Sequence, residues 1–201
     1  MKIPDFSKTA NFYNDRYIKF GDSVKTVGWG NKESQQLRFD ILFRGLNFKN
    51  PTILDIGCGL GDLVPYLQDR IGNEFKYIGI DVADNLIERA KLIHTGSQFE
   101  FYCCDIFSFS LQRIDFSILS GALSMRIDGM EEYANRVMQY MYEISGNAAC
   151  LNFLSKYVDY ELDKNLHYYP EEIFKTAKNF CKKINLYHDY PLYEFTIQLI
   201  K

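Results

Sequence analysis

Beyond residue 50 the chain alternates short apolar runs with stretches whose apolar residues recur at helical spacing. Thr52–Ile56 is a compact apolar run, and Leu60, Leu63, Val64, Leu67 and Ile71 then follow the helical period. Phe75–Ile80 is the next run, followed by Leu86, Ile87, Ala90 and Ile93 on one helix face. Phe99–Cys103 and Phe116–Leu119 read as two further strands. Tyr133, Val137, Tyr140, Met141 and Ile144 return to helical spacing, and Ala148–Leu154 reads as a strand. Apolar strands without alternation, separated by amphipathic helices, predict a parallel sheet covered on both faces.

The two ends of the chain depart from this rhythm. Residues 1–49 contain no clear strand. Asp5–Phe20 and Ser34–Leu46 read as helices joined by a loop around Gly28-Trp29-Gly30, which together form an expected cap or lid on a domain spanning residues 50–201. Near the other end, Pro170 opens a helix carrying Ile173, Phe174, Ala177 and Phe180. Ile184, Leu186, His188 and Tyr190 then alternate, Pro191 interrupts, and Tyr193, Phe195, Ile197 and Leu199 alternate again. Two alternating runs around a break predict an antiparallel hairpin.

Composition narrows the function classes. The 201 residues carry a net charge of −3 and no dense Lys/Arg run, Lys182-Lys183 being the lone adjacent basic pair. Proteins that grip phosphate backbones carry a basic face, so nucleic acid is disfavoured as a partner. The five cysteines, Cys58, Cys103, Cys104, Cys150 and Cys181, show no Cys-x-x-Cys spacing, and no metal site is expected from them. Most lie in or beside apolar stretches, as reduced thiols of a cytoplasmic protein do. Neither a signal-peptide pattern at Met1–Ser7 nor an apolar run of the roughly 20 residues needed to span a bilayer is present. A cytoplasmic location is expected.

The densest chemical signal is Ile53-Leu54-Asp55-Ile56-Gly57-Cys58-Gly59-Leu60-Gly61-Asp62-Leu63. A strand enters a turn with three glycines and a helix follows, a place where ligand and backbone can approach closely. A dinucleotide site would read G-x-G-x-x-G. Here the spacing is G-x-G-x-G, with Asp62 where the last dinucleotide glycine would stand. Asp55, just before the turn, would repel a pyrophosphate but suits a ligand bearing an ammonium and a sulfonium. This favours S-adenosylmethionine over NAD. Asp81 ends the second run and can accept from a ribose diol. Asp105 ends the third and can accept from the adenine amine, with Ile106 flanking the base.

On these residues the chain resembles the class I S-adenosylmethionine-dependent methyltransferases. Asp55–Gly61 matches the family's glycine-rich motif, Asp81 its ribose-binding acid and Asp105 its adenine-contacting acid. The resemblance covers about residues 50–201. It implies a Rossmann-like α/β fold with a seven-stranded, mainly parallel sheet, helices on both faces and an antiparallel C-terminal strand. The segment from Gly28-Trp29-Gly30 through Ser34–Phe39 is also similar to a subgroup of small bacterial members whose substrates are mostly unknown. The expected cofactor set is Asp55, Gly57, Cys58, Gly59, Gly61, Asp81, Val82, Asp105, Ile106 and Ser120. Trp29 is added as part of a lid with Tyr13 and Tyr17, and Arg38 as a partner of the cofactor carboxylate.

Ligands of open α/β sheets lie beyond the carboxyl ends of the strands. The loop Ser120–Arg126 after the fourth strand is therefore expected to face the transferred methyl. It lacks the Asn/Asp-Pro-Pro-Tyr motif of family members that methylate amides or bases. Arg126 can hold an anionic acceptor, Tyr157 and Tyr168 can shape its pocket, and His167 is the candidate general base. A base is needed only where the acceptor must lose a proton early. The reading is methyl transfer to oxygen or nitrogen of a small molecule. An RNA or protein methyltransferase, a non-catalytic cofactor-binding module and an NAD-dependent oxidoreductase are the alternatives.

Overall fold

The computed structural model describes residues 4–109 and 114–201. In chain order the elements are α1 (Ser7–Phe20), α2 (Lys32–Leu42), β1 (Thr52–Ile56), α3 (Leu63–Ile71), β2 (Lys76–Asp81), α4 (Asp84–Ile93) and β3 (Phe99–Cys103). They continue as β4 (Ile114–Leu119), α5 (Met130–Ile144), β5 (Ser145–Leu154), α6 (Pro170–Lys178), β6 (Lys183–Tyr187) and β7 (Glu194–Ile200). The first three residues of the expected N-terminal cap lie outside the described part.

The strands form one seven-stranded sheet in the order β3-β2-β1-β4-β5-β7-β6. Strands β1 to β5 pair in parallel, and β7 runs antiparallel to both β5 and β6. The expected hairpin is therefore inserted so that its second strand, β7, sits inside the sheet and β6 forms the edge. The strand order reverses between β1 and β4, which opens a crevice beyond their carboxyl ends.

Each face is closed by helices whose apolar stripes follow the sequence periodicity. On one face α5 buries Met130, Tyr133, Ala134, Val137, Met138 and Met141. They pack with Leu54, Leu119, Leu151 and Ile197 of the sheet and Ile173 and Ala177 of α6. Each large apolar side chain fully buried in this way contributes about 1.5–3 kcal/mol. On the other face α2, α3 and α4 cover Ile53, Tyr77, Phe101, Phe116 and Ile118 through Phe39, Leu42, Val64, Leu67 and Ile87.

Element boundaries depart from the periodicity where local chemistry decides them. Helix α2 starts before Ser34 because the Asn31 side chain accepts from the Ser34 N–H at 2.8 Å and caps it. It ends at Leu42, ahead of Gly45, rather than reaching Leu46. Strand β5 begins at Ser145, directly after α5, its hydroxyl donating to Met141 O at 2.7 Å. Helix α2 is also fastened to β7, since the buried Gln198 amide donates to Leu42 O and Arg44 O, both at 3.0 Å. Helix α1 lies apart from the sheet core. Its Tyr13 and Tyr17 pack against Leu60, Ala83 and Leu86, and Asn14 donates to Asp84 of α4 at 2.7 Å.

Candidate active site

The glycine-rich turn after β1 takes the chain sharply into α3. Gly57 has φ 73°, and a Cβ there would lie 2.5 Å from the Ala122 methyl of the loop after β4. Glycine is required on both counts. Four of the turn's amides are engaged by protein. Gly57 N and Cys58 N both donate to Ile80 O, at 2.8 and 3.1 Å, and Gly61 N donates to Cys58 O. Gly59 N donates to Asp81 Oδ2 at 2.9 Å. A phosphate-cradling turn holds such groups free for the anion, and this one does not.

Four carboxylates line the same crevice, and one of them, Asp62, accepts from the Gln35 amide at 2.8 Å. Asp55, at the carboxyl end of β1, is buried and accepts from the Tyr77 hydroxyl at 2.6 Å. Burial pushes its pKa up to about 7, against the pull of the Tyr77 hydrogen bond. Asp81, ending β2, accepts from Ala83 N through Oδ1 and Gly59 N through Oδ2, both at 2.9 Å. Burial raises its pKa and these backbone donors oppose the rise. Asp105, beyond β3, caps the following turn by accepting from Phe107 N at 2.9 Å, and its second oxygen accepts from the Tyr133 hydroxyl.

These groups line one cavity of about 380 Å³, within the range of small-molecule pockets. Of the expected cofactor set, Asp55, Gly57, Cys58, Gly59, Asp81, Val82, Asp105, Ile106, Ser120, Trp29 and Arg38 all lie on its wall. Gly61 does not reach it. A Cβ at Gly61 would lie 2.8 Å from the His94 ring, so this glycine serves the packing behind the turn. There His94 Nε2 donates to Leu60 O, 2.9 Å away, and the ring stacks on Phe101. Cys58 is buried beside Asp81 and Asp55, and its thiol is held well above the ordinary range, chiefly by burial.

Trp29 closes the cavity beside the loop after β4. Gly121 has φ 81°, and a Cβ there would lie 2.5 Å from the indole ring. The Arg38 guanidinium stacks over Trp29 at 4.0 Å. Arg38 Nη1 donates to Ser34 O at 2.8 Å and Nε pairs with Glu194 at 2.5 Å. Both side chains are nearly buried, at 11% and 3% exposure. Arg38 therefore reaches the cavity with its charge already met by Glu194. Burial pulls the arginine pKa down and pushes that of Glu194 up to about 7, while each partner opposes the other's shift.

The acceptor-side residues fall differently. The loop after β4 is on the wall through Gly121–Met125, as expected, and Leu154, Leu162, Lys164 and Asn165 join it. Arg126, Tyr157, His167 and Tyr168 do not line the cavity. Arg126 donates to Asn165 O at 3.0 Å and lies 3.5 Å from Glu161. Tyr157 is 60% exposed and donates to Glu171. Tyr168 is buried and donates to Leu123 O at 3.0 Å. His167 is buried, with Nδ1 2.7 Å from Ser155 O and Nε2 without a hydrogen-bond partner among the described residues. The physical reason is the doubling back of residues 155–168. Ser155 and Tyr168 form a bridge, and Met125 pairs with Asn165. Leu162, Lys164 and Asn165 face the cavity, Ser155, His167 and Tyr168 turn into the protein, and Tyr157 points to solvent.

Sequence reasoning missed Tyr133, whose ring sits in the α5 apolar stripe while its hydroxyl reaches Asp105. On the α1 side it named Tyr13, which lines the cavity, and Tyr17, which does not, and it missed the neighbours of Tyr13. Phe6, Thr9, Phe12, Tyr13 and Arg16 all line the cavity. Their spacing of three and four was the available signal. Burial beside Asp81 pushes the Tyr13 phenol up to about 12.

Comparison with known proteins gives this geometry a context. A family model described as a methyltransferase domain matches residues 53–144. The "Putative methyltransferase Rv1506c" of Mycobacterium tuberculosis is 30% identical over 167 residues, covering 79% of this chain and 98% of that protein. Among solved structures, magnesium protoporphyrin IX methyltransferase of Synechocystis with bound SAH superposes with a TM-score of 0.68. It is 16% identical and covers 97% of this chain and 98% of its own. The small RNA methyltransferase HEN1 gives a TM-score of 0.63 at 16% identity, over 84% of this chain and 25% of its own. At such identities the superpositions bear on the fold alone.

Proposed function

The chain belongs to the methyltransferase family, and from this premise we propose that it moves the methyl group of S-adenosylmethionine to an oxygen or nitrogen of a small-molecule acceptor. The observation that carries the reading is the donor set of the cavity. Four carboxylates line it, Asp55, Asp62, Asp81 and Asp105, while the Gly57, Cys58 and Gly59 amides of the turn are bonded to Ile80 O and Asp81. That arrangement suits a cofactor with two cationic centres, a ribose and an exocyclic amine, and does not suit a pyrophosphate.

When bound, S-adenosylmethionine supplies a methyl group already activated by its sulfonium. The protein's part is then to bind, align and exclude water. Asp81 offers its remaining lone pairs to the ribose, and the Gly59 and Ala83 amides fix its orientation. Asp105, held by Tyr133, takes the adenine amine, with Ile106 against the base. Asp55 provides negative charge under the turn. Trp29 and α1 cover the cavity, and the loop from Ser120 to Met125 faces the acceptor.

A small acceptor is supported by the coverage of the cavity, whose outer wall is α1, and by the net charge of −3. Among the described residues no helix is long and apolar enough to cross a membrane. The test is calorimetry with S-adenosylhomocysteine and NAD, followed by a metabolite screen coupled to release of S-adenosylhomocysteine. Micromolar binding of S-adenosylhomocysteine, none of NAD, and turnover of a metabolite are expected. Tighter binding of NAD would overturn the cofactor assignment. Turnover of RNA or protein, with no metabolite active, would overturn the acceptor class.

A further inference from the structure

One cation on the cavity wall, the exposed Lys164, has no acid partner among the described residues. Each carboxylate on the wall has its partner: Asp55 has Tyr77, Asp62 has the Gln35 amide at 2.8 Å, Asp81 has two backbone amides, and Asp105 has Tyr133 and Phe107 N. Arg38 has Glu194. Arg16 is held by Thr26 O and Lys25 O, with the Phe12 and Phe20 rings against its guanidinium. Lys164 differs. Among the described residues its ammonium has neither an ion-pair partner nor a hydrogen bond, and its recorded contact is the Phe12 ring, 5.9 Å away.

That contact joins two parts of the cavity wall. Phe12 belongs to α1 and Lys164 to the loop after β5, and both line the wall. The wall also carries the apolar Phe6, Met125, Leu154 and Leu162, together with Asn165 next to Lys164 in the chain. On the same face of α1, one turn from Phe12, Thr9 is 7% exposed and lines the cavity, and its hydroxyl has no hydrogen-bond partner. A buried hydroxyl left without a partner is unfavourable, and a ligand oxygen at that place would satisfy it.

We propose that the acceptor is a small apolar acid whose carboxylate is bound by Lys164 on the cavity wall, with the body of the molecule between Phe12 and Leu162 and a hydrogen bond to Thr9. This deepens the small-molecule reading above and rests on it. A carboxylate fits better than a phosphate, because a single ammonium is one point charge and matches one negative charge. The carboxylate is a handle. The reacting oxygen or nitrogen lies deeper, towards Ser120–Met125.

The test uses matched hydroxylated aromatic carboxylic acids and their methyl esters. These are titrated into the protein saturated with S-adenosylhomocysteine, and then assayed by product release with S-adenosylmethionine. The acids are expected to bind and react at least tenfold better than the esters. Lys164→Gln is expected to raise KM for the acids about tenfold, with a smaller change in kcat and none in S-adenosylhomocysteine affinity. Lys164→Arg restores most of the loss. Failure of every acid to bind the loaded protein overturns the proposal, as does an unchanged KM in Lys164→Gln. Preferential turnover of the esters would sink the carboxylate while leaving the small-molecule reading intact. Turnover of RNA or protein alone would remove both.

Discussion

Replacing Arg38 by Gln removes one half of a nearly dry ion pair. Glu194 is 2% exposed. Without the guanidinium, its carboxylate is left buried and uncompensated, which costs about 3–5 kcal/mol. Trp29 also loses the cation stacked on it at 4.0 Å, worth about 0.5–2 kcal/mol. At 2–4 °C per kcal/mol for a chain of this size, the ion-pair loss alone lowers Tm by roughly 6–20 °C at pH 8. The loss is relieved by acid. Glu194 already has its pKa pushed up to about 7 by burial, against the pull of Arg38, and the variant moves it higher. The folded variant therefore takes up a proton that the unfolded chain does not hold, and its stability falls as pH rises through that range. Thermal unfolding at pH 5.5 and pH 8 is expected to show at least twice the destabilisation at the higher pH. Arg38→Gln combined with Glu194→Gln is expected to recover part of it, since no charge is then stranded. Trp29 is the sole tryptophan, so its emission reports directly on the lid. Equal destabilisation at both pH values, or an Arg38→Gln Tm within about 2 °C of the parent protein, would refute the reasoning.

Three further outcomes are expected. Asp81→Ala is expected to weaken S-adenosylhomocysteine binding roughly ten- to hundredfold by calorimetry, the scale of losing hydrogen bonds to a charged group. It also destabilises the apo protein by about 1.5–3 kcal/mol in urea unfolding, because Gly59 N and Ala83 N lose their acceptor. Gly121→Ala places a methyl 2.5 Å from the Trp29 ring in a backbone with φ 81°. It is expected to cost about 1–3 kcal/mol and to shift tryptophan emission, an effect that a native spectrum in the variant would contradict. Asp55 has a folded pKa of about 7, so its contribution to apo stability is present in full below about pH 4 and lost as pH rises through 7. Urea unfolding from pH 5 to 8 is expected to show a smaller fall in Asp55→Asn than in the parent. S-adenosylmethionine affinity should climb over the same interval in the parent and stay flat in the variant.

The sheet and the glycine-turn end of the cavity were legible because their signals are local. An apolar run, a G-x-G-x-G turn and a helical stripe lie within a dozen residues of one another around Gly57, and Asp81 and Asp105 declare themselves by ending runs. The acceptor end was not legible in that way. Topology identified the loops after β4 and β5, but the Ser155–Tyr168 bridge determines which loop residues face inward, and such a bridge leaves no mark on the sequence. His167 was therefore expected at the site and lies behind its wall, while Lys164 lies on it. Tyr133 was hidden by its own apolar ring. Arg38 was visible as a cation near a lid, but its partner belongs to a distant strand, and nothing short-range announces Glu194.

The antiparallel course of β7 has a consequence for the order in which the site is made during synthesis. Because β7 runs backwards, its beginning lies beside the end of β5, with Glu194 opposite Leu154. The ribosome delivers α2 and the glycine turn early, yet Arg38 waits for Glu194, and Leu42 O waits for Gln198, 156 positions later. Until β7 enters the sheet, the nascent chain holds a buried-to-be arginine without its counterion and a lid tryptophan without its support. Binding competence should therefore appear late and abruptly on the ribosome, when β7 emerges, and not grow with each strand added.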